Sequence, residues 1–169
     1  MTLNFYAQPY DISAEGFYFV SVEEYNKQAS SLKNNYGDAI EEFEIQFIDG
    51  EIIDCELAKA WGVNQGNLSE FFNATNEWDD NQKTHYIIAV GECGYSHDQA
   101  NDDPIDIEID IYELDSLIDL AYQFVEEGLF GDIPERLQSY LDYDKISNDL
   151  GFDYTETNIA GNNLIYRCA

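Results

Sequence analysis

Ile105, Ile107, Ile109 and Ile111 alternate with Asp106, Glu108, Asp110 and Tyr112, the clearest pattern in the chain. A period of two predicts a strand with one apolar face and an opposite face bearing three carboxylates, because successive side chains of an extended backbone point to opposite sides. Phe43, Ile45 and Phe47 alternate with Glu42, Glu44 and Gln46 in the same way, up to the turn Asp49-Gly50. Leu3 to Ala7 and Gly16 to Val22 flank the turn-rich Gln8-Pro9-Tyr10-Asp11, so a β-ribbon is expected to open the chain. Phe152 to Thr157 and Asn163 to Cys168, joined through Ala160-Gly161-Asn162, predict a closing hairpin. His85 to Glu92 reads as a further strand and Gly94 to Pro104 as a loop.

Helical signals lie between these segments. Ser21-Val22-Glu23-Glu24 has the spacing of a capping box and predicts a helix over about 23–34. Glu56 to Trp61 and Leu68 to Glu77 follow as short helices, the second with Asn67 as its cap. Leu117, Leu120, Ala121 and Phe124 recur at helical spacing up to Gly128, with Asp115, Asp119, Gln123 and Glu126 on the outer side. Asp132 and Pro134 introduce Arg136 to Leu141, and Asp144 to Leu150 stops at Gly151. No internal repeat, low-complexity tract or Gly/Ser linker interrupts this order. The expected fold is α+β, built of small abutting subdomains with short antiparallel sheets and short helices. The expected boundaries are an N-terminal α+β subdomain over 1–57, a short helical linker region over 58–83 and a C-terminal acidic α+β subdomain over 84–169.

Composition changes this picture mainly through charge. Thirty-five Asp and Glu face seven Lys and Arg, a net charge of -28, which alone would suggest a disordered acidic tail. The aromatic content of 15% argues for a folded core instead. From Thr84 through Glu135 there are fourteen carboxylates and no Lys or Arg. The partner-facing set read from this stretch and its continuation is Asp106, Glu108, Asp110, Asp115, Asp119, Glu126, Glu127, Asp132, Glu135, Asp142, Asp144 and Asp149. One-sided charge at this density opposes compaction, so it implies a basic partner. It argues against nucleic acid and against an anionic membrane surface.

B-DNA carries one negative charge per ~1.7 Å of axis, so -28 matches the phosphates of about 14 base pairs, a length of about 48 Å. A compact chain of this size is about 40 Å across. A groove that neutralises phosphates therefore has a similar charge to meet over a similar length. An acidic adaptor for basic proteins, or adaptation to brine, would produce the same composition without duplex-like geometry.

Catalytic templates find little to work with. There are two histidines, His85 and His97, and no phosphate-binding glycine loop, nucleophile elbow or metal-ligand spacing. Asp98, Asp102, Asp103 and Asp106 lack the order of a calcium loop. No catalytic residue, metal or cofactor is expected, and the chain is read as a non-enzyme. Cys55, Cys93 and Cys168 form no CxxC pair and leave an odd thiol, which predicts no disulfide framework and a reducing cytoplasm. The opening residues lack a basic region followed by an apolar run, so no export is expected.

One segment carries a more specific signal. Leu114 to Gly128 ends an acidic helix on Glu126-Glu127-Gly128. A short link then enters Ile133-Pro134-Glu135 and Leu137, Tyr140 is followed two residues on by Asp142-Tyr143, and Asp149-Leu150 comes after. This segment resembles the ArdA antirestriction family over about 114–169, and more loosely over 1–75, where Glu41 to Asp49 and the helix around Leu68 to Phe72 carry the likeness. Between them the resemblance lapses, since the family's small helical middle domain has here the strand candidate His85 to Glu92. The resemblance implies an elongated, acidic homodimer that imitates bent B-form DNA. Such a protein occupies the DNA groove of type I restriction-modification enzymes and protects incoming mobile DNA. It also implies dimer contacts at Tyr122, Phe130, Ile133, Leu137 and Tyr140, which as plain residues are equally readable as subdomain core. Mimicry aimed at another DNA-binding protein, such as a CRISPR effector, another defence nuclease or a nucleoid protein, fits the same charge.

Overall fold

Two units make up the chain, residues 1–106 and 107–169, and each combines helices with one three-stranded antiparallel sheet. The structure is a computed structural model and describes residues 1–99 and 101–169. The α+β class expected from the patterning is observed.

In the first unit the strands β1 (Asn4–Pro9), β2 (Phe17–Phe19) and β3 (Phe43–Asp49) assemble in the order β2-β1-β3. Alternation sets the register: Phe5 lies opposite Phe19 on one side and Phe47 on the other. The inward residues Phe5, Ala7, Phe17, Phe19 and Phe43 are buried, as a period of two requires. Phe5 is the hub, its ring 5.2 Å from Phe47, 5.4 Å from Phe72, 5.6 Å from Phe19 and 5.8 Å from Phe71. Stacked, tilted and edge-on pairs of this kind add about 0.5–1.5 kcal/mol each beyond area burial. Helix α1 (Val22–Ser31) starts where Ser21 Oγ accepts the Glu24 amide at 3.2 Å. The returning carboxylate of Glu24 accepts from the Val20 amide rather than from Ser21, so the predicted box forms with a shifted partner.

Helices α2 (Ile52–Trp61), α3 (Leu68–Glu77) and α4 (Asp80–Tyr86) complete this unit. Leu68, Phe71, Phe72 and Ala74 bury one face of α3. Asn67 does not cap α3 with its side chain; its Oδ1 instead accepts from the Asn64 amide at 2.8 Å. Between α2 and α4 lies a buried ion pair, Lys83 Nζ donating to Asp54 Oδ1 at 2.8 Å.

The strand expected over His85 to Glu92 is helical. Asp79 and Gln82 form a complete capping box, α4 runs to Tyr86, and Ile87–Glu92 continues as a π-helix in which the Cys93 amide reaches the Ile88 carbonyl at 2.9 Å. Tyr86, Ile87, Ile88 and Ala89 are all buried, and a continuously apolar run is the case in which periodicity cannot separate a strand from a buried helix. Gly91 permits the close approach to α2, since a Cβ there would stand 3.0 Å from the Ala60 Cβ. Cys55 is a free thiol.

In the second unit β4 (Ile109–Tyr112), β5 (Thr155–Ile159) and β6 (Asn162–Cys168) take the order β4-β6-β5. The four-isoleucine pattern is a strand only from Ile109, which pairs with Cys168 at the last rung of β6. Pro104–Asp106 is a 3₁₀ turn and Ile105 is exposed. The β5–β6 turn places both Ala160 (φ 50°) and Gly161 (φ 88°) in the left-handed region, as a two-residue hairpin turn matched to strand twist demands.

Helix α5 (Leu117–Glu126) follows its sequence signals closely. Ser116 Oγ accepts the Asp119 amide. At the far end Gly128 takes φ 77°, its amide bonding to the Val125 carbonyl and that of Leu129 to Phe124. Leu120 and Phe124 pack with Tyr154 and Ile165 to form the core of this unit. Helix α6 (Glu135–Gln138) is a single turn, and α7 (Tyr143–Leu150) packs against α5.

No helix among the described residues is long and apolar enough to cross a membrane.

Candidate interaction surfaces

Charge is spread over both units. The first holds 21 carboxylates and four Lys or Arg, net -17, and the second holds 14 carboxylates and three Lys or Arg, net -11. Per residue the two densities are nearly equal, so the position of each carboxylate, rather than its unit, distinguishes them.

Of the twelve carboxylates singled out from the sequence, Asp106 belongs to the first unit and the other eleven to the second. All are exposed except Asp110, which is half-buried. Asp110 accepts from Arg167 Nε at 2.8 Å, and the Arg167 guanidinium lies 5.1 Å over the Tyr154 ring. The hydrogen bond to Asp110 holds Arg167 even more firmly protonated than usual. Beside this pair the Tyr112 hydroxyl titrates above its ordinary range, chiefly through burial and then through Tyr154 and Asp110. The charge of Asp110 is therefore largely spent within the sheet.

Other members of the set serve local structure while remaining in solvent. Asp115 accepts from Asn163 at 3.0 Å, Asp119 accepts from the Ser116 hydroxyl at 2.9 Å, and Asp142 caps α7 through the Lys145 amide. Asp119, Glu135 and Asp144 lie in first helical turns, where the amide dipoles favour negative charge.

Glu126, Glu127 and Asp149 sit at the opposite ends. Glu126 and Glu127 close α5 and Asp149 lies in the last turn of α7, and neither last turn contains a basic residue. A carboxylate there opposes the helix dipole at a cost of about 0.3–1 kcal/mol. Gln123 donates to Glu127 at 3.0 Å, which lessens the repulsion without neutralising it. Local stability gives no reason for these three charges.

The five residues proposed for dimer contact are not core. Tyr122 and Phe130 are each 52% exposed, Leu137 46% and Tyr140 83%, while Ile133 is half-buried. Tyr122 stacks on Tyr143 at 3.8 Å, and Phe130 meets the core ring Phe124 edge-on, 6.3 Å away. Leu129 is 61% exposed in the same segment. Concentrated apolar exposure on an otherwise acidic surface is the kind of patch that another molecule can cover.

A second feature, in the first unit, escaped the sequence reading. Glu70, Asn73 and Glu77 project from one face of α3, and with Trp78 they form one wall of a cavity of about 390 Å³. Gln99, Asp102 and Asp103 contribute the other wall. That wall is tied down: Gln99 donates to the Tyr86 hydroxyl at 3.0 Å, the Asp102 amide to the Asp98 carbonyl, and Gln82 donates to Asp103. The one available signal was the spacing 70, 73, 77, which puts two carboxylates and an amide on one helix face. Nothing in the sequence tied that face to Gln99, Asp102 and Asp103. Among the described residues no three Asp, Glu, His or Cys converge closely enough to hold a metal ion. Compared with protein-family models and with curated proteins, the chain matches none of them.

Proposed function

We propose that this protein is a non-enzymatic DNA mimic that occupies the DNA-binding groove of a type I restriction-modification enzyme and so protects incoming mobile DNA. One observation carries the reading: Glu126, Glu127 and Asp149 are exposed, lack a cationic partner among the described residues, and stand where the fold itself disfavours negative charge. A basic groove that replaces phosphates by carboxylates offsets that cost, and a merely soluble surface does not. The likeness of 114–169 to the antirestriction motif supplies the target. It also supplies the homodimer, for which exposed Tyr122, Phe130, Leu137 and Tyr140 offer the contact surface.

The test is competition. Increasing amounts of the protein should displace labelled DNA from a type I enzyme, and raising the salt should relieve the effect because both interactions are electrostatic. Unaltered DNA binding at saturating protein overturns the reading. Sedimentation of the pure protein reads the dimer directly.

The even charge of the two units favours a second reading, an acidic inhibitor or adaptor for another basic protein, whether a CRISPR effector, another defence nuclease or a nucleoid protein. Displacement of DNA from such a protein with the type I enzyme unaffected would select it. Either reading places the protein in the cytoplasm with its target. Fractionation of the producing cells tests that placement.

A further inference from the structure

Resting on the proposed basic partner, we infer that two joined loops of the first unit, 10–14 and 34–38, are an interface anchor that seats Ile12 and Tyr36 in an apolar depression bordered by Lys or Arg on that partner.

Two tight turns raise these side chains. The turn Asp11 to Ala14 is closed by the Ala14 amide on the Asp11 carbonyl at 3.1 Å, and Ile12 stands fully exposed at its first corner. The turn Asn34 to Gly37 is closed by the Gly37 amide on the Asn34 carbonyl at 3.1 Å, with Tyr36 at its second corner and 84% exposed. Gly37 takes φ 87° and returns the chain into the Lys33–Ala39 bridge. Turn corners favour Gly, Pro, Asn, Asp and Ser, whose backbone freedom or short polar side chains suit the bend. The turns themselves therefore give no reason for a β-branched aliphatic residue at one corner and an aromatic ring at the other.

The two turns are also fastened to each other. Asp11 Oδ2 accepts from Asn34 Nδ2 at 3.0 Å, across 23 positions of the chain. Asp11 Oδ1 accepts the Ser13 amide at 2.8 Å and the Ser13 hydroxyl at 2.7 Å. Asn34 Oδ1 accepts the amides of Tyr36 and Asp38, both at 2.9 Å. The bond from Asn34, and then those from Ser13, hold the Asp11 carboxyl below its ordinary range. Loops ordered in advance lose little freedom on binding, so more of their contact energy appears as affinity. Tyrosine suits this use, since it offers a large rigid area with few torsions and is enriched among the residues that dominate interfaces.

Charge selects the occupant. Asp11 and Asp38 belong to these loops, and Glu42 adjoins them through its carbonyl, which accepts the Tyr10 amide at 3.2 Å. Against these three carboxylates stands Lys33, and among the described residues neither Asp38 nor Glu42 is ion-paired. Apolar anchors beside carboxylates complement a cationic protein surface with an apolar depression, the usual arrangement of an apolar centre within a polar rim. The same charges repel nucleic acid and an anionic membrane, and a second copy of this chain would set them against themselves.

Direct binding of the full-length protein to a type I enzyme, measured without DNA over a series of salt concentrations, tests the anchor. Ile12→Ser/Tyr36→Ser should weaken binding at least about tenfold at every salt concentration, as truncation of central interface residues does, and leave the slope of log affinity against log salt unchanged. Asp38→Asn/Glu42→Gln should flatten that slope instead. Should the first pair fail to fold, Tyr36→p-benzoyl-phenylalanine gives a second readout, a covalent adduct with the enzyme on irradiation. Unchanged affinity of Ile12→Ser/Tyr36→Ser, or no adduct from position 36, overturns the inference and leaves the DNA-mimic reading standing. If the unaltered protein binds another DNA-binding protein and not a type I enzyme, the same variants decide the inference on that protein. If it binds neither, the DNA-mimic reading falls and the anchor falls with it.

Discussion

The two units have similar charge density and invest their aromatic residues differently. In 1–106 most rings gather inward, with Tyr10, Tyr18 and Tyr36 left in solvent: Phe5 meets four others, and Trp61, Trp78 and Tyr86 form a second cluster. In 107–169 the core centres on a cluster of four buried residues, while a larger share of the rings, Tyr122, Phe130, Tyr140 and Phe152, remains in solvent. A domain of about 60 residues buries a limited share of its surface and is marginal. Leaving large apolar side chains outside such a small core is costly unless they are covered by another molecule. The contrast thus separates a unit stabilised from within from one that keeps apolar surface available to a partner.

The largest effect should come from the hub of the first unit. Phe5→Ala removes a fully buried ring and should cost about 3–5 kcal/mol in chemical denaturation. A loss below about 1 kcal/mol would mean that the aromatic cluster is not the centre of that unit's stability. Asp54→Ala should come close behind, at about 3 kcal/mol, because it strands the Lys83 ammonium in a buried site. Adding Lys83→Met should recover much of that loss; if it does not, the pair matters through packing rather than charge.

In the second unit the expected changes are smaller, and two of them are gains. Ala160→Asn at the hairpin turn should stabilise by about 1 kcal/mol, since alanine is strained at φ 50° and asparagine tolerates it. Glu126→Gln with Glu127→Gln should also stabilise, by about 0.3–1 kcal/mol per site, while weakening displacement of DNA from the target. Stability and inhibition moving in the same direction would remove the main support for the mimic. Smallest of all, Tyr140→Ser should change folding stability by less than about 0.5 kcal/mol and yet reduce self-association.

A difference between tyrosines should appear on alkaline titration. Burial raises the hydroxyls of Tyr25, Tyr86 and Tyr112 above the ordinary value of 10.0. These groups favour the folded state when neutral. Their contribution is full below the unfolded value and is lost as pH rises through the folded values. Absorbance at alkaline pH should therefore show these three ionising late, together with unfolding.

Legibility in the sequence followed locality. Helix α5 could be read almost to the residue, because its apolar spacing, Ser116 and Gly128 all lie within its own segment. The first sheet was legible because Phe43, Ile45 and Phe47 alternate over a whole strand. The run from Tyr86 to Ala89 was not, since burial on every side erases the period, although Asp79 and Gln82 spelled out a helix start. Asn67 looked like a cap and turned its oxygen to Asn64 instead, a choice between two nearby amides that composition does not make. For the candidate surfaces, the carboxylates could be named from the sequence, and the helix-end positions of Glu126, Glu127 and Asp149 became visible once α5 and α7 were bounded.

What the sequence determined by itself was what each residue carries locally: the net charge of -28, the alternating strands, the capped helices and the α+β class. Only the tertiary structure decided which charges are spent internally and which remain free. Asp110 meets Arg167 across 57 positions, and Lys83 meets Asp54 across 29. It alone brought the α3 face to Gln99, Asp102 and Asp103 and left Tyr122 and Tyr140 outside a core that sequence reasoning allowed them to join. The physical reason is that periodicity and capping act within a few residues along the chain. Ion pairing, cavities and apolar exposure depend on distances in space, which the chain sets only after it has folded.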